Sequence, residues 1–166
     1  MVVKSRAQNI DAGGRPLDLG YVALFLGLRV NHIVMERMRS AGFENVRESH
    51  GYVIQHLIEK ERSITELARR MEVTQQAASK MIAELEQLGA VDTVPGSDRR
   101  AKKVRLSLRG WEVVRLGRQI RRQIERRLIR AAGARQYETA QSVLTVCLEA
   151  LGGLESVRAR RVLPPQ

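Results

Sequence analysis

The sequence predicts a mainly α-helical fold with one small β-hairpin. Apolar residues recur every three to four positions along most of the 166 residues, as they do on the buried face of a helix. Alternation with a period of two, which is typical of a half-buried strand, occurs in one region only, between residues 90 and 106. The length suits about one domain, and a hydrophobic content of 43% excludes wholesale disorder.

The first two predicted helices follow a polar arm over residues 1–15. Pro16 is expected to open a long helix that runs to about Ser40, because a proline in the first turn loses no needed donor. Gly42 would close this helix. A second helix is predicted over residues 45–60, where apolar side chains recur at helical spacing.

A helix-turn-helix is predicted next, over residues 63–88. Ser63 and Glu66 have the spacing of a capping box, in which each side chain satisfies the other residue's backbone N–H. Thr74 supplies a second N-cap after a tight turn, and Gly89 suits the left-handed end of the fourth helix. One face of that fourth helix is apolar, and the opposite face consists of Gln76, Ser79, Lys80, Ala83 and Gln87.

The hairpin that follows is predicted to be the wing of a winged helix-turn-helix. Its strands, over residues 90–94 and 102–106, should direct Val104 and Leu106 inward. Asp98 is expected to brace the turn by accepting hydrogen bonds, so that an arginine points outward. Five cations lie within seven residues, namely Arg99, Arg100, Lys102, Lys103 and Arg105.

Two further helices complete the predicted fold. A long fifth helix follows Ser107 and ends at Gly133. A sixth helix is predicted over residues 135–151, and its apolar stripe includes Cys147, for which a buried, inert thiol is expected. The paired glycines at 152–153 mark the end of predicted order.

The fifth helix carries eight arginines and two glutamates between residues 109 and 130, which gives a local charge of +6. Three interpretations stay open for this segment: a solvated outer face, a surface that contacts phosphates, and a site for an anionic effector. Arg121 and Arg127 flank the apolar stripe and could instead pair with acids across a subunit interface.

The composition favours a polyanionic partner and gives no sign of an enzyme. Lys and Arg exceed Asp and Glu by 29 to 18, a net charge of +11, and the low aromatic content of 4% argues against single-strand binders that stack bases. No nucleophile–base pair, phosphate-binding glycine loop, metal-ligand spacing or cofactor motif is found. The single cysteine and the short apolar run over residues 21–28 indicate a soluble, cytoplasmic protein.

A helix-turn-helix beside a cationic hairpin predicts binding to duplex DNA. The first two turns of a recognition helix reach base edges, and a glutamine there can present a donor and an acceptor together to adenine. Cations on the hairpin can straddle the phosphate backbone or enter a narrow minor groove.

These residues resemble the multiple antibiotic resistance regulator (MarR) family of winged-helix transcription factors. The segment from Asp98 to Gly110 is similar to the family pattern Asp-x-Arg-x-x-x-Val/Leu-x-Leu-Thr/Ser-x-x-Gly. Residues 63–68 and 73–79 look like the family's two helix-turn-helix starts. The specific match covers residues 63–110.

The resemblance implies a homodimer that grips successive major grooves of a pseudo-palindromic operator. In this arrangement residues 16–44 and 111–155 form the dimerisation region, residues 45–110 form the DNA-binding domain, and residues 156–166 are a tail. Arg100 would enter the minor groove. The residues implied to contact DNA are Ser63, Thr74, Gln75, Gln76, Ser79, Lys80, Asp98, Arg99, Arg100 and Lys102.

The resemblance also implies a repressor that a small, often aromatic and anionic, effector releases from DNA. His32, His50 and Trp111 are candidate effector contacts, because each lies on a helix that the family uses to line its pocket. Two alternatives stay open. One is a nucleoid-type protein that binds DNA without sequence preference, and the other is an effector-binding or protein-interaction module that no longer binds DNA.

Overall fold

A computed structural model describes Ile10 and residues 13–96, 102–159 and 161. Within these residues, the predicted helices and the two predicted hairpin strands follow one another in the expected order, and the structure adds one short strand and one short helix that were not predicted. The helices are α1 (Leu19–Ser40), α2 (His50–Leu57), α3 (Ile64–Met71), α4 (Gln75–Gln87), α5 (Leu108–Ala132), α6 (Ala134–Ala150) and α7 (Leu154–Ala159), and the strands are β1 (Arg62–Ser63), β2 (Val91–Pro95) and β3 (Lys102–Leu106).

The three strands form one antiparallel sheet in the order β1-β3-β2. In the hairpin, β2 pairs with β3 from Val91↔Leu106 to Pro95↔Lys102. On its other edge, β3 pairs with β1 through Arg62↔Val104 and Ser63↔Lys103. The first residue pair before α3 is therefore hydrogen-bonded to the wing.

Helices α2, α3 and α4 enclose the core against this sheet. The side chains of this core are fully or almost fully buried, because α3 and α4 each turn an apolar stripe towards it. Val104 and Leu106 point inward as predicted, and the buried residues of α3 and α4 are Leu67, Ala68, Met71, Ala78, Ile82 and Leu85. The long helices α1 and α5 pack against each other beside this lobe.

The predicted helix caps are confirmed at three of the four main starts. The hydroxyl oxygens of Ser63, Thr74 and Ser107 accept hydrogen bonds from the N–H groups three residues later, at 3.0–3.1 Å. Gly89 has the positive φ of +65° expected after α4. The start of α1 was predicted wrongly: the helix begins at Leu19, because the Asp18 carboxylate accepts from Tyr21 N at 2.8 Å.

Three other expectations need correction. Helix α2 is shorter than predicted, because residues 45–49 form hydrogen-bonded turns before it. Order continues past residues 152–153, where α7 follows the turn. Cys147 is half-buried and not buried, since α6 contains no buried residue.

Helices α1 and α6 expose much of their apolar surface. Val34 and Met38 are the buried residues of α1, whereas Leu24, Phe25 and Leu28 are each more than half exposed. By length and composition alone, α1 could cross a membrane, with a mean hydropathy of 1.2 over an 18-residue window that is 6% buried. Its residues Leu19, Val22 and Leu26 line a groove with α6 of about 610 Å³.

Candidate nucleic-acid interface

The first two turns of α4 present polar side chains to solvent. Thr74 caps the helix and is exposed, as are Gln75, Gln76 and Lys80, while Ser79 is half-buried. The opposite face is anchored in the core by Ala78, Ile82 and Leu85. This division of faces leaves the tip of the helix free to enter a groove of B-DNA.

Two carboxylates in the C-terminal half of α4 hold this helix against its neighbours, and the sequence alone does not predict these contacts. Glu84 accepts from His50 Nε2 at 2.9 Å and from the Arg47 guanidinium at 3.2 Å. Glu86 accepts a hydrogen bond from the hydroxyl of Thr93 on β2. One acid therefore ties α4 to α2, and the next ties it to the wing.

His50 is a buried residue of α2 that connects this helix to α4. Its side chain is 1% exposed, and its Nδ1 accepts from Arg47 N at 3.1 Å. Because a backbone N–H can only donate, Nδ1 is the acceptor, and the proton on Nε2 points at Glu84. His50 is one of the candidate effector contacts, and both of its ring nitrogens already have partners within the winged helix-turn-helix.

The hydrogen bond from His50 lowers the pKa of the Glu84 carboxyl. Desolvation opposes this effect, but the charges of Arg47 and Lys80 reinforce it. The carboxylate is therefore the favoured form where α2 meets α4, and it keeps the acceptor that His50 and Arg47 need.

Arg62 is a second buried polar residue that connects neighbouring elements, and the sequence alone does not predict its burial. Its side chain is 2% exposed although it carries a full charge. The guanidinium donates to the His56 carbonyl oxygen at 2.8 Å and to Glu59 at 3.2 Å, and it also donates to Glu66. The only signal in the sequence is a basic residue flanked by acids three positions before and four after it.

Glu66 has a different role from the one the capping box predicts. Its backbone N–H donates to Ser63 as expected, but its carboxylate accepts from Arg62 and Arg70, and the Ser63 backbone lies in the β1–β3 ladder. Partial burial raises the pKa of Glu66, yet the hydrogen bonds from Arg62 and Arg70 outweigh burial and leave the pKa below its ordinary value of 4.5. Only half of the predicted box forms.

The wing carries fewer free cations than its composition indicates. Lys103 Nζ lies 2.9 Å from a carboxylate oxygen of Glu61, and Arg105 Nε lies 3.8 Å from that of Asp92. Lys102 is exposed and has no ion pair with a carboxylate in the part of the chain that the structure describes. Three further predicted contacts, Asp98, Arg99 and Arg100, lie outside the described residues.

The candidate effector residues occupy three different environments. His32 is exposed on α1, His50 is buried between α2 and α4, and Trp111 is half-buried at the start of α5. Across the described residues, no hydrogen bond or ring contact joins any two of them. His50 borders a polar cavity of about 380 Å³ that Arg47 and Glu84 also line.

Comparisons with known proteins agree with this architecture. The model of the MarR family matches residues 46–101. No curated protein sequence gives a significant match.

Solved structures share the fold at low sequence identity. YusO from Bacillus subtilis is 21% identical with a TM-score of 0.66, and the match covers 80% of this chain and 94% of YusO. The reduced form of MarR from E. coli is 18% identical with a TM-score of 0.65, covering 80% and 97%. A mutant of MepR from S. aureus, bound to an oligodeoxyribonucleotide, is 16% identical with a TM-score of 0.60, covering 81% and 99%.

Proposed function

This chain carries the winged helix-turn-helix of the MarR family, and on that premise we propose that it is a dimeric, sequence-specific DNA-binding transcriptional regulator. It acts as a repressor in the cytoplasm, by occluding a promoter when bound. A small effector releases it from DNA.

The exposed polar tip of α4 carries the proposal. Gln75, Gln76 and Lys80 face solvent on a helix whose other face and far end are both held in place. Glutamine and lysine side chains at such a tip can read base edges in the major groove. Thr74 caps α4 and Ser79 lies in its second turn, whereas Ser63 caps the start of α3; we assign their hydroxyls as donors to phosphates or bases.

The wing supplies the second contact. Pro95 and Lys102 are paired at the described end of the hairpin, and the sequence connects them through residues 96–101. That connection carries Arg99 and Arg100, with Asp98 before them. We assign Arg100 to the minor groove and Lys102 to the phosphate backbone.

Uncovered apolar surface supports the dimer. A monomer would leave the groove between α1 and α6 open to water, and exposed apolar surface of this extent marks an interaction site. A second copy covering it would hold two winged helices at a fixed separation, as a pseudo-palindromic operator requires.

The test is selection of bound fragments from genomic DNA, followed by competition at fixed salt with random-sequence DNA. We expect an inverted repeat, bound at least about a thousandfold more tightly than random DNA. Equal competition by random DNA would show a nucleoid-type binder. No binding to any fragment at low salt would show a module that has lost DNA binding.

A further inference from the structure

The arginines of α5 make an unbalanced surface outside the winged helix. Seven arginines follow one another on this helix from Arg115 to Arg130, and none forms an ion pair with a carboxylate among the residues that the structure describes. Arginines elsewhere, such as Arg70 and Arg105, do have acidic partners. Like charges three and four positions apart on a helix repel each other, so this array is unfavourable unless an anion relieves it.

Three of these arginines border a groove, which we call the arginine groove. It lies between α1, α5 and α6, has a volume of about 430 Å³, and is lined by Arg118, Arg121, Arg122, Glu125, Tyr137, Val30, Ile124 and Leu128. Ligand pockets for small molecules have volumes of roughly 300–1,000 Å³. The arginine groove is therefore large enough for a small organic ligand.

The groove combines a charged rim with an apolar floor. Arg118, Arg121 and Arg122 are all exposed, whereas Ile124 is 8% exposed and Leu128 is half-buried beneath them. Their spacing of three and four residues brings the three guanidinium groups to one side of α5. A ligand that satisfies both parts has negative charge at one end and an apolar or planar body at the other.

A hydroxyl donor faces the rim from α6. Tyr137 Oη donates to Glu125 at 3.4 Å, and burial together with the Glu125 charge raises the pKa of the phenol. The hydroxyl therefore keeps its proton near neutral pH. Glu125 is the one carboxylate among the lining residues, and it forms no ion pair with Arg118, Arg121 or Arg122 in the part of the chain that the structure describes.

We propose that the arginine groove binds an organic phosphate with at least two negative charges, of the nucleoside diphosphate class. A monocarboxylate pairs with one guanidinium, whereas a diphosphate spreads its charge over several oxygens and can bridge three. The apolar floor then contacts the organic body. This site is separate from the proposed DNA contacts, and its test needs no DNA.

The test is calorimetric titration of the full chain with ADP, without divalent cations and at about 150 mM salt, where diffuse attraction is largely screened. We expect ADP to bind at least about tenfold more tightly than pyrophosphate, which lacks the organic body, and adenosine to show no measurable binding. Failure of ADP to bind, or equal affinity for pyrophosphate, overturns the proposal.

A matched pair of double variants separates the groove from general charge. Arg118→Gln with Arg122→Gln should weaken ADP binding at least about tenfold, because both line the groove. Arg126→Gln with Arg130→Gln removes the same charge at the same spacing on the same helix, but neither residue lines the groove. Similar weakening by both pairs would mean a diffuse cationic surface and would overturn the proposal.

Two controls keep the result interpretable. Val30→Asp adds a negative charge from the α1 wall and should weaken ADP binding even if the arginine variants unfold. Sedimentation of each variant reports its oligomeric state. If the groove variants change that state and leave ADP affinity unaltered, the groove is a subunit contact and the proposal is wrong.

Discussion

At the scale of single residues, the outer face of α4 and the wing should affect DNA binding in different ways. Gln76→Ala should change the base preferred at one operator position by about 1–3 kcal/mol, because its amide can read a base edge. Arg100→Ala should weaken binding severely across all sequences, because a minor-groove arginine contributes to most sites. Binding-site selection with each variant measures this, and an unchanged motif for Gln76→Ala would contradict the assignment.

Arg62 should matter more for stability than any exposed arginine. Arg62→Ala removes a buried guanidinium that donates to the His56 carbonyl oxygen and pairs with Glu59 and Glu66, which should lower the free energy of unfolding by about 1–3 kcal/mol. Arg70→Ala removes another partner of the same Glu66 carboxylate at a far more exposed position and should cost less than about 1 kcal/mol. Urea denaturation of both variants provides the comparison.

The acid sensitivity of the winged helix-turn-helix should depend partly on Glu84. The pKa of Glu84 is lower in the folded state than its ordinary value of 4.5, so the unfolded state binds more protons as the pH falls. Its stabilisation is therefore complete above pH 4.5 and is lost as the pH falls through the lowered folded pKa. Glu84→Gln should reduce this loss in urea denaturation between pH 6 and pH 3, while Glu66 keeps the remainder; an identical pH profile would refute the role.

At the scale of elements, Gly110 allows the first turn of α5 to pack closely against the backbone of Ala90. A Cβ at Gly110 would lie 2.0 Å from the Ala90 carbonyl oxygen, and backbone cannot move aside as a side chain can. Gly110→Ala should therefore destabilise the fold by about 3 kcal/mol or more. Gly51→Ala meets nothing within 4 Å and should leave the thermal midpoint unchanged or raised.

The elements that the sequence predicts well are those whose local signals agree. α3, α4 and the hairpin have caps, periodicity and turn residues that all indicate one boundary, and each lies within about two residues of its prediction. β1 has only two residues and no alternation to reveal it; its pairing comes from contact with β3. The start of α1 was misplaced because Pro16 and Asp18 are both acceptable openings, and only the folded chain shows which side chain caps the helix.

The candidate site was predicted unevenly for the same reason. The exposure of Gln75, Gln76 and Lys80 can be predicted, because the apolar residues of α4 recur at helical spacing and leave these three on the other side. The pairing of Lys103 with Glu61 joins residues that are 42 positions apart, and no local pattern predicts it. The burial of His50 is not predicted either, because its acceptor, Glu84, lies 34 positions away on another helix.

At the scale of the whole molecule, the dimer should depend on the apolar surface of α1. Val22→Glu with Leu26→Glu places two charges in the groove with α6 and should shift sedimentation towards the monomer, with loss of binding to a full palindrome. Leu108→Glu is a control, because Leu108 is 87% exposed and lies outside that groove. A dimer that survives the double change would place the interface elsewhere.

The hydrogen-bonded pairing of β1 with β3 limits how the winged helix-turn-helix could be re-engineered. Because Ser63 caps α3 and is also paired with Lys103, a graft of α3 and α4 from a relative would separate those helices from their strand partner unless the graft also carried β1 and β3. The smallest transplantable unit therefore extends from Glu61 to Leu106. Substitutions confined to the outer tip of α4 leave that unit intact and are the simpler way to retarget it.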